Sequence, residues 1–370
     1  MHDFVVVGAG PSGSRFARRA AAAGDDVVVF EQGTVGEPLA CSGHVSRDIW
    51  QFTPDGARDR LLQHEIRGAR FHAGGPGSRA YPFYRSEPIS NVIDRVDLDR
   101  CLAEAARDAD AEVKEHHTVT DVTEYADHVA VTVVSDGTAE TVKTRMVAGC
   151  DGPVSRVREA LGLPEPAERL HGVLAFDPNP EFDAFVDVHL IIPGFFAWRI
   201  PRGSAGVEYG LAAPPGDDVV ERFETFIDAY GVEVEHQCSG AIPIGPPGRT
   251  TSHRGFLLGD AAAQTKPFTG GGLVYGMTAA DCAARTIDPT DPPTLDAYER
   301  SWRASLGSDI TLGRWIRRAY DLPAPFQRLG LWATAGKVAV HMDRPTTLFS
   351  RDQLRAFLSR PPTADQLPGQ

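Results

Sequence analysis

The sequence predicts an α/β fold with an antiparallel sheet inserted into it and a helical C-terminal region. Three observations predict it. Residues 4–7, Phe-Val-Val-Val, run straight into Gly8-Ala9-Gly10-Pro11-Ser12-Gly13. A second apolar run, 27–30, ends at Glu31, and short β-like runs broken by Pro and Gly recur between Leu170 and Leu211. Strand, glycine turn, helix and second strand in that order make a Rossmann-type dinucleotide-binding unit. Gly8 makes the tight turn, Gly10 lets the backbone approach a pyrophosphate, and Gly13 lets the helix pack on the sheet. The helix start offers the phosphates unpaired N–H groups and partial positive charge. Glu31 is placed to accept hydrogen bonds from a ribose, and its charge repels a 2′-phosphate, which disfavours NADP. NAD and FAD both stay open on these residues alone.

The other elements follow in order. After the polar stretch 38–46, Gly74-Gly75-Pro76-Gly77 marks a hairpin. Residues 97–109 read as a helix with Leu98, Leu102 and Ala105 on one face. Residues 129–134, the turn Asp136-Gly137 and residues 141–148 form a second hairpin that ends at Cys150-Asp151-Gly152. Runs 172–176, 185–192, 195–200 and 206–211 form the inserted antiparallel sheet. Residues 217–230 form a helix on it, with Val220, Phe223, Phe226 and Ile227 inward. The chain returns through 255–260, and the segment from Pro267 to Leu273 opens a helix that runs through Asp281. Beyond about Leu295 the sequence is helical and rich in Trp and Arg. The expected division is a nucleotide-binding domain (1–65, 90–168 and 250–290), a substrate-binding sheet domain (66–89 and 169–249) and a C-terminal helical region (291–370).

Composition narrows the function. The formal net charge is −13, which disfavours nucleic acid as a partner, and four lysines stand against 33 arginines. Five cysteines without a CxxC pair indicate neither a disulfide framework nor a zinc site, as expected of a reducing cytoplasm. The first strand begins within three residues of Met1, and no apolar run approaches the ~18 residues of a span. Any membrane contact is therefore expected to be peripheral, on the inner face.

Two further segments distinguish the nucleotide. Asp260 closes an apolar strand, where a carboxylate can hold the ribityl hydroxyls of a flavin. The helix behind Gly270-Gly271-Gly272 presents N–H groups to the flavin carbonyl edge and favours an anionic reduced flavin. The second segment, Cys150-Asp151-Gly152-Pro153-Val154-Ser155-Arg156-Val157-Arg158, also runs from a strand end into a helix, and Arg95-Val96-Asp97-Leu98-Asp99 begins the helix read over 97–109. Together these segments resemble the flavoprotein group of aromatic hydroxylases, halogenases and geranylgeranyl reductases. The resemblance implies an FAD-binding, hydroxylase-like domain with Arg95, Asp151 and Asp260 near the FAD. The candidate cofactor contacts are Gly8, Gly10, Ser12, Gly13, Glu31, Gln32, Cys41, Arg95, Asp151, Asp260, Gly271 and Gly272.

Within that group, Pro38-Leu39-Ala40-Cys41-Ser42-Gly43-His44 is similar to the Pro-x-x-Cys-x-Gly stretch of geranylgeranyl reductases of the archaeal digeranylgeranylglycerophospholipid type. Phe196-Ala197-Trp198-Arg199-Ile200-Pro201 resembles their aromatic-x-Trp-x-Phe-Pro stretch, with Ile200 in place of Phe; His44 stands where a second glycine is usual. The resemblance implies saturation of isoprenoid double bonds on FAD. An isolated alkene has no carbonyl to polarise it, so a hydride on one carbon needs a proton on the other. Cys41, as an uncharged thiol in apolar surroundings, and His44 are the candidate catalytic acids. Phe196 and Trp198 share a strand face and are the candidate substrate wall. The alternatives are reduction of the menaquinone polyprenyl tail and flavin monooxygenation of an aromatic substrate. A halogenase would need a lysine in the N-terminal part, where the first lysine is Lys114. One dinucleotide fingerprint leaves no separate NAD(P)H domain, so electrons are expected from an external donor: ferredoxin, a deazaflavin or NAD(P)H. Arg314, Arg317 and Arg318 read as a solvated helix face that could dock such a donor. Trp302, Trp315 and Trp332 could close a lipid tunnel or rest on a bilayer, but Pro323 and Pro325 interrupt the apolar residues between 316 and 331.

Overall fold

The computed structural model describes residues 1–37, 41–216, 218–336 and 343–349. Strand β1 (His2–Val7) lies parallel to β2 (Val27–Phe30), and α1 (Pro11–Ala21) crosses between them. Proline at the first position of α1 gives up an N–H that has no intrahelical partner anyway, while Phe16, Ala17 and Ala20 are buried. The chain continues through β3 (His44–Ser46), α2 (Ala57–Leu61), β4 (Leu62–Ile66), β5 (Gly68–His72), β6 (Ala80–Tyr84) and β7 (Ser90–Ile93). Strands β3, β7 and β4 form a small three-stranded sheet; the β5–β6 hairpin joins a larger sheet elsewhere.

Helix α3 (Arg95–Arg107) starts two residues before the sequence-based expectation, because the Asp94 carboxylate accepts the Asp97 N–H and caps it there. Strands β8 (Glu112–Lys114), β9 (Thr118–Glu124), β10 (Val129–Ser135) and β11 (Thr138–Gly149) follow, then α4 (Arg156–Ala160). The nucleotide-side sheet has the order β8-β2-β1-β11-β10-β9. Strands β12 (Glu168–Asp177), β13 (Phe185–Ile192), β14 (Phe195–Pro201) and β15 (Val207–Ala213), helix α5 (Val219–Tyr230) and β16 (Glu235–Ile244) build the second sheet, ordered β16-β12-β15-β14-β13-β5-β6. Its β13–β5 seam is parallel.

In α5 the buried stripe is Val219, Phe223, Phe226 and Ile227, whereas Val220, expected inward, is exposed. The stripe centres between Val219 and Phe223, which leaves Val220 at its rim. Strand β16, unforeseen because Glu-His-Gln-Cys-Ser carries no apolar alternation, pairs with β12 at the sheet edge.

The chain re-enters the first sheet as β17 (Gly255–Leu257), beside β11, and continues through α6 (Leu273–Thr286), α7 (Thr294–Arg318) and α8 (Ala324–Thr334) to a 3-10 turn at Pro345–Phe349. Pro323 and Pro325 start α8 rather than interrupt an apolar face, since proline fits a first helical turn. Trp302 belongs to the core, 1% exposed, and packs with Phe4, Phe16 and Phe256 in the cluster under β1. No helix among the described residues is long and apolar enough to cross a membrane.

Candidate active site

The turn between β1 and α1 is made by backbone contact. A Cβ on Gly13 would sit 2.1 Å from the Gly8 carbonyl oxygen, and one on Gly8, at φ +100°, would sit 2.5 Å from that of Cys150. Only glycine fits such approaches. At Gly10 nothing lies within 4 Å of the Cβ position, so that face of the turn is open to a ligand. The Glu31 carboxylate is fixed at the rim by the Ala9 N–H (2.8 Å) and the Gly33 N–H (3.2 Å). Gln32 next to it is exposed. Ser12 turns its hydroxyl inward: Cβ positions on Gly259 and Gly276 would lie 2.5 and 2.2 Å from its Oγ.

Asp260 follows β17 in a short 3-10 turn, Gly259–Ala262. Surrounding protein pushes its carboxyl up to about 6, partly opposed by Arg95, and no donor among the described residues reaches it. The Gly272 Cβ position lies 2.7 Å from Asp260 Oδ1, which puts the start of α6 against this carboxylate. Gly271 lies against Lys266, which donates to the Asp343 carboxylate at 2.6 Å in a buried pair. The Tyr275 hydroxyl donates to the Asp343 carbonyl. Sequence reasoning missed this pair; its one signal was a lysine beside the Gly270-Gly271-Gly272 run in a chain with only four.

Cys41 opens the opposite wall; Pro38, Leu39 and Ala40 lie outside the described residues. The surroundings of Cys41 are not apolar, as expected from sequence, but cationic. Arg95 Nε donates to Cys41 Sγ at 3.3 Å while its Nη1 and Nη2 clasp Asp99 at 2.6 and 3.2 Å. Burial works against the charge of Arg95, yet Asp99 and Cys41 outweigh it and hold the guanidinium protonated. Gly43, at φ +68°, lets the loop pass the Ile93 carbonyl, which a Cβ would meet at 2.4 Å. His44 starts β3 with Nε2 2.8 Å from Ser90 Oγ. Burial first, then Lys266 and Arg202, push its imidazole down to about 3, so it is a neutral hydrogen-bonded ring rather than an acid at neutral pH. Asp151 adjoins Gly8 through Cys150, but its carboxylate caps α4, accepting from Ser155 Oγ and the Val157 N–H.

Phe196 and Trp198 do meet, with ring centroids 5.9 Å apart, edge to face. Phe196 is covered on its other side by Tyr320, whereas Trp198 lies across Gly210, a partly exposed ring. Trp198 Nε1 donates to Glu208 Oε1 at 2.8 Å; Arg202 Nη1 donates to Glu208 Oε2 at 3.0 Å and to the Ser42 carbonyl. Burial raises the Glu208 carboxyl above its ordinary range, and Arg202 opposes it. This unforeseen relay ties the aromatic strand face to the residue next to Cys41. Arg317, expected to be solvated, instead pairs with Glu168 at 2.7 Å. A groove of about 660 Å³ along α7, between Arg303 and Trp315, shares no lining residue with these walls.

The model of the FAD binding domain family matches residues 1–188. The chain is 30% identical to the digeranylgeranylglycerophospholipid reductase of Methanothrix thermoacetophila, over 88% of each chain. It is 31% identical to digeranylgeranylglycerophospholipid reductase 2 of Methanopyrus kandleri, over 82% of this chain and 83% of that one. Its fold is similar to that of a geranylgeranyl bacteriochlorophyll reductase-like protein from Thermoplasma acidophilum, with a TM-score of 0.82, 22% identity and coverage of 97% and 96%. The p-nitrophenol 4-monooxygenase of Pseudomonas putida shares the fold too, with a TM-score of 0.73 at 17% identity over 96% of both chains. The fold is therefore common to reductases and monooxygenases.

Proposed function

This chain belongs to the FAD-binding digeranylgeranylglycerophospholipid reductase family, and from that premise we infer that it saturates geranylgeranyl double bonds of membrane lipid precursors. The observation that carries the reading is sequence identity sustained along the chain: 30% over 88% of it with the digeranylgeranylglycerophospholipid reductase, against 17% with the monooxygenase that shares the fold.

The residues fit FAD. The open face of Gly10 and the N-terminus of α1 accept the pyrophosphate, and Glu31 accepts from the adenosine ribose. The Asp260 carboxylate, which no donor among the described residues reaches, would take the ribityl hydroxyls, and the α6 start would face the flavin carbonyl edge. FAD, when reduced, supplies a hydride to one alkene carbon. Cys41 Sγ–H gives its proton to the other, and the Arg95 Nε–H holds the charge left on sulfur until solvent reprotonates it. His44 keeps the Cys41 loop on β7 through Ser90. Trp198, its indole edge fixed by Glu208, walls the isoprenoid chain, with Phe196 packed behind it. Electrons come from an external donor (ferredoxin, a deazaflavin or NAD(P)H), and the enzyme works in peripheral contact with the inner face of the membrane.

The test is anaerobic. The FAD-loaded enzyme is reduced and mixed separately with digeranylgeranylglycerophospholipid, menaquinone and an aromatic acid. The reading expects the glycerophospholipid to reoxidise the flavin and gain hydrogen by mass. Reoxidation by menaquinone alone, or only by oxygen with hydroxylation of the aromatic acid, would overturn it.

A further inference from the structure

Ten large apolar side chains are exposed among the described residues, and five of them, Trp315, Leu322, Phe326, Leu329 and Trp332, fall within eighteen residues at the end of α7 and in α8. Phe326, Leu329 and Trp332 are 62%, 60% and 64% exposed. They recur every third residue, and the exposed Pro325 and Ala333 lie within the arc they span, with exposed Gly330 beside it. The arc from Trp332 to Phe326 thus carries no charge, with exposed Arg328 at its rim, while the polar Gln327 is buried and donates to the Tyr320 carbonyl. This inverts the ordinary arrangement of a surface helix.

The charge around the patch also runs against the rest of the chain. Residues 314–336 hold four basic side chains, of which Arg317 pairs with Glu168, and one acid, Asp321, in a protein of net charge −13. Exposed Arg314 and Arg318 border the patch on α7, where Arg318 stacks on Trp315 at 4.3 Å, and Arg328 stands at the rim of α8. Asp321 is engaged by the Gly194 N–H. An uncharged aromatic face rimmed by arginine matches a surface with anionic headgroups above an apolar layer.

We propose that the outer face of α8, with the end of α7, docks on an anionic lipid bilayer. The assignment rests on the lipid-reductase reading and gives the membrane contact a place. Its position fits that role: the Tyr320 hydroxyl donates to the Phe268 carbonyl at 2.8 Å, beside the Gly270-Gly271-Gly272 run, and the Tyr320 ring covers Phe196. The docked surface adjoins the aromatic wall.

Flotation of the FAD-loaded full chain with vesicles tests this, using phosphatidylcholine alone and phosphatidylcholine mixed with phosphatidylglycerol. Wild type is expected to float with the mixed vesicles about tenfold better than with the neutral ones at low salt. Phe326→Ser with Trp332→Ser should lower binding to both by about tenfold or more, and Arg314→Gln with Arg328→Gln should remove the preference for anionic lipid. Turnover of detergent-dispersed lipid should be unchanged in both variants. The proposal is overturned if wild type does not float, if the serine pair floats like wild type, or if light scattering finds a dimer that the serine pair splits, since the face would then bind a second copy. Normal flotation with no turnover of detergent-dispersed lipid by wild type would support the docking face and refute the lipid-reductase reading.

Discussion

Between Gly8 and Glu31 the nucleotide cradle is assembled from neighbours in the chain, whereas the wall that carries Cys41 is assembled from residues as far as 160 positions apart. The cradle is held by backbone: glycines without room for a Cβ and one carboxylate fixed by two N–H groups. The Cys41 wall is held by buried charge, through Arg95 with Asp99 and Arg202 with Glu208. Tight backbone contact is sensitive to added volume. Buried charge is sensitive to the loss of a partner.

The largest expected effect falls on the charged wall. Glu208→Ala strands the Arg202 guanidinium and the Trp198 indole N–H, and should cost about 4 kcal/mol in urea unfolding. Glu208→Gln, which can still accept from Trp198, should recover part of that loss; equal costs for the two would show that the pair is not what holds the wall. In the cradle, Gly13→Ala forces a methyl onto the Gly8 carbonyl and should cost about 3 kcal/mol, and the purified protein should carry little flavin absorbance.

Asp260→Asn should separate stability from binding. Because burial raises the folded-state value to about 6 from 3.8, the contribution of Asp260 to apoprotein stability is complete below 3.8 and is lost as pH rises through about 6. At neutral pH the Asn apoprotein should melt higher than wild type yet bind FAD about tenfold more weakly, as read by calorimetry. The smallest effect is a slope. His44 is held neutral, with its value pushed down to about 3 from 6.5, so its stability contribution is present above 6.5 and is lost as pH falls towards 3. His44→Asn should flatten the decline in urea midpoint over that window, and an unchanged slope would place the acid sensitivity elsewhere.

The same contrast explains what could be read in advance. The glycine turn, Glu31, both hairpins and the Arg95–Asp99 segment at a helix start are short-range patterns, so they were visible in the sequence, although the contact of Arg95 with Cys41 was not. Glu208 stood out only as a lone acid in the apolar strand 206–213; its partner Arg202 is set by how the chain re-enters at Gly203 and Gly206, where no spacing rule applies. Asp343 reaches Lys266 across 77 residues. The prolines at 323 and 325 had read as breaks in a face, yet they begin the helix that carries it. Most of the architecture was therefore visible, together with the cradle and Cys41, whereas the Arg202–Glu208 pair that holds Trp198 was not.

The central claim is that the backbone cradle carries FAD while the charged wall aims Cys41 at the alkene. Single-turnover reoxidation of the reduced Cys41→Ser enzyme by digeranylgeranylglycerophospholipid, without oxygen, tests it most directly. The account predicts wild-type FAD content and reoxidation slowed by about a hundredfold. Reoxidation at the wild-type rate would contradict it.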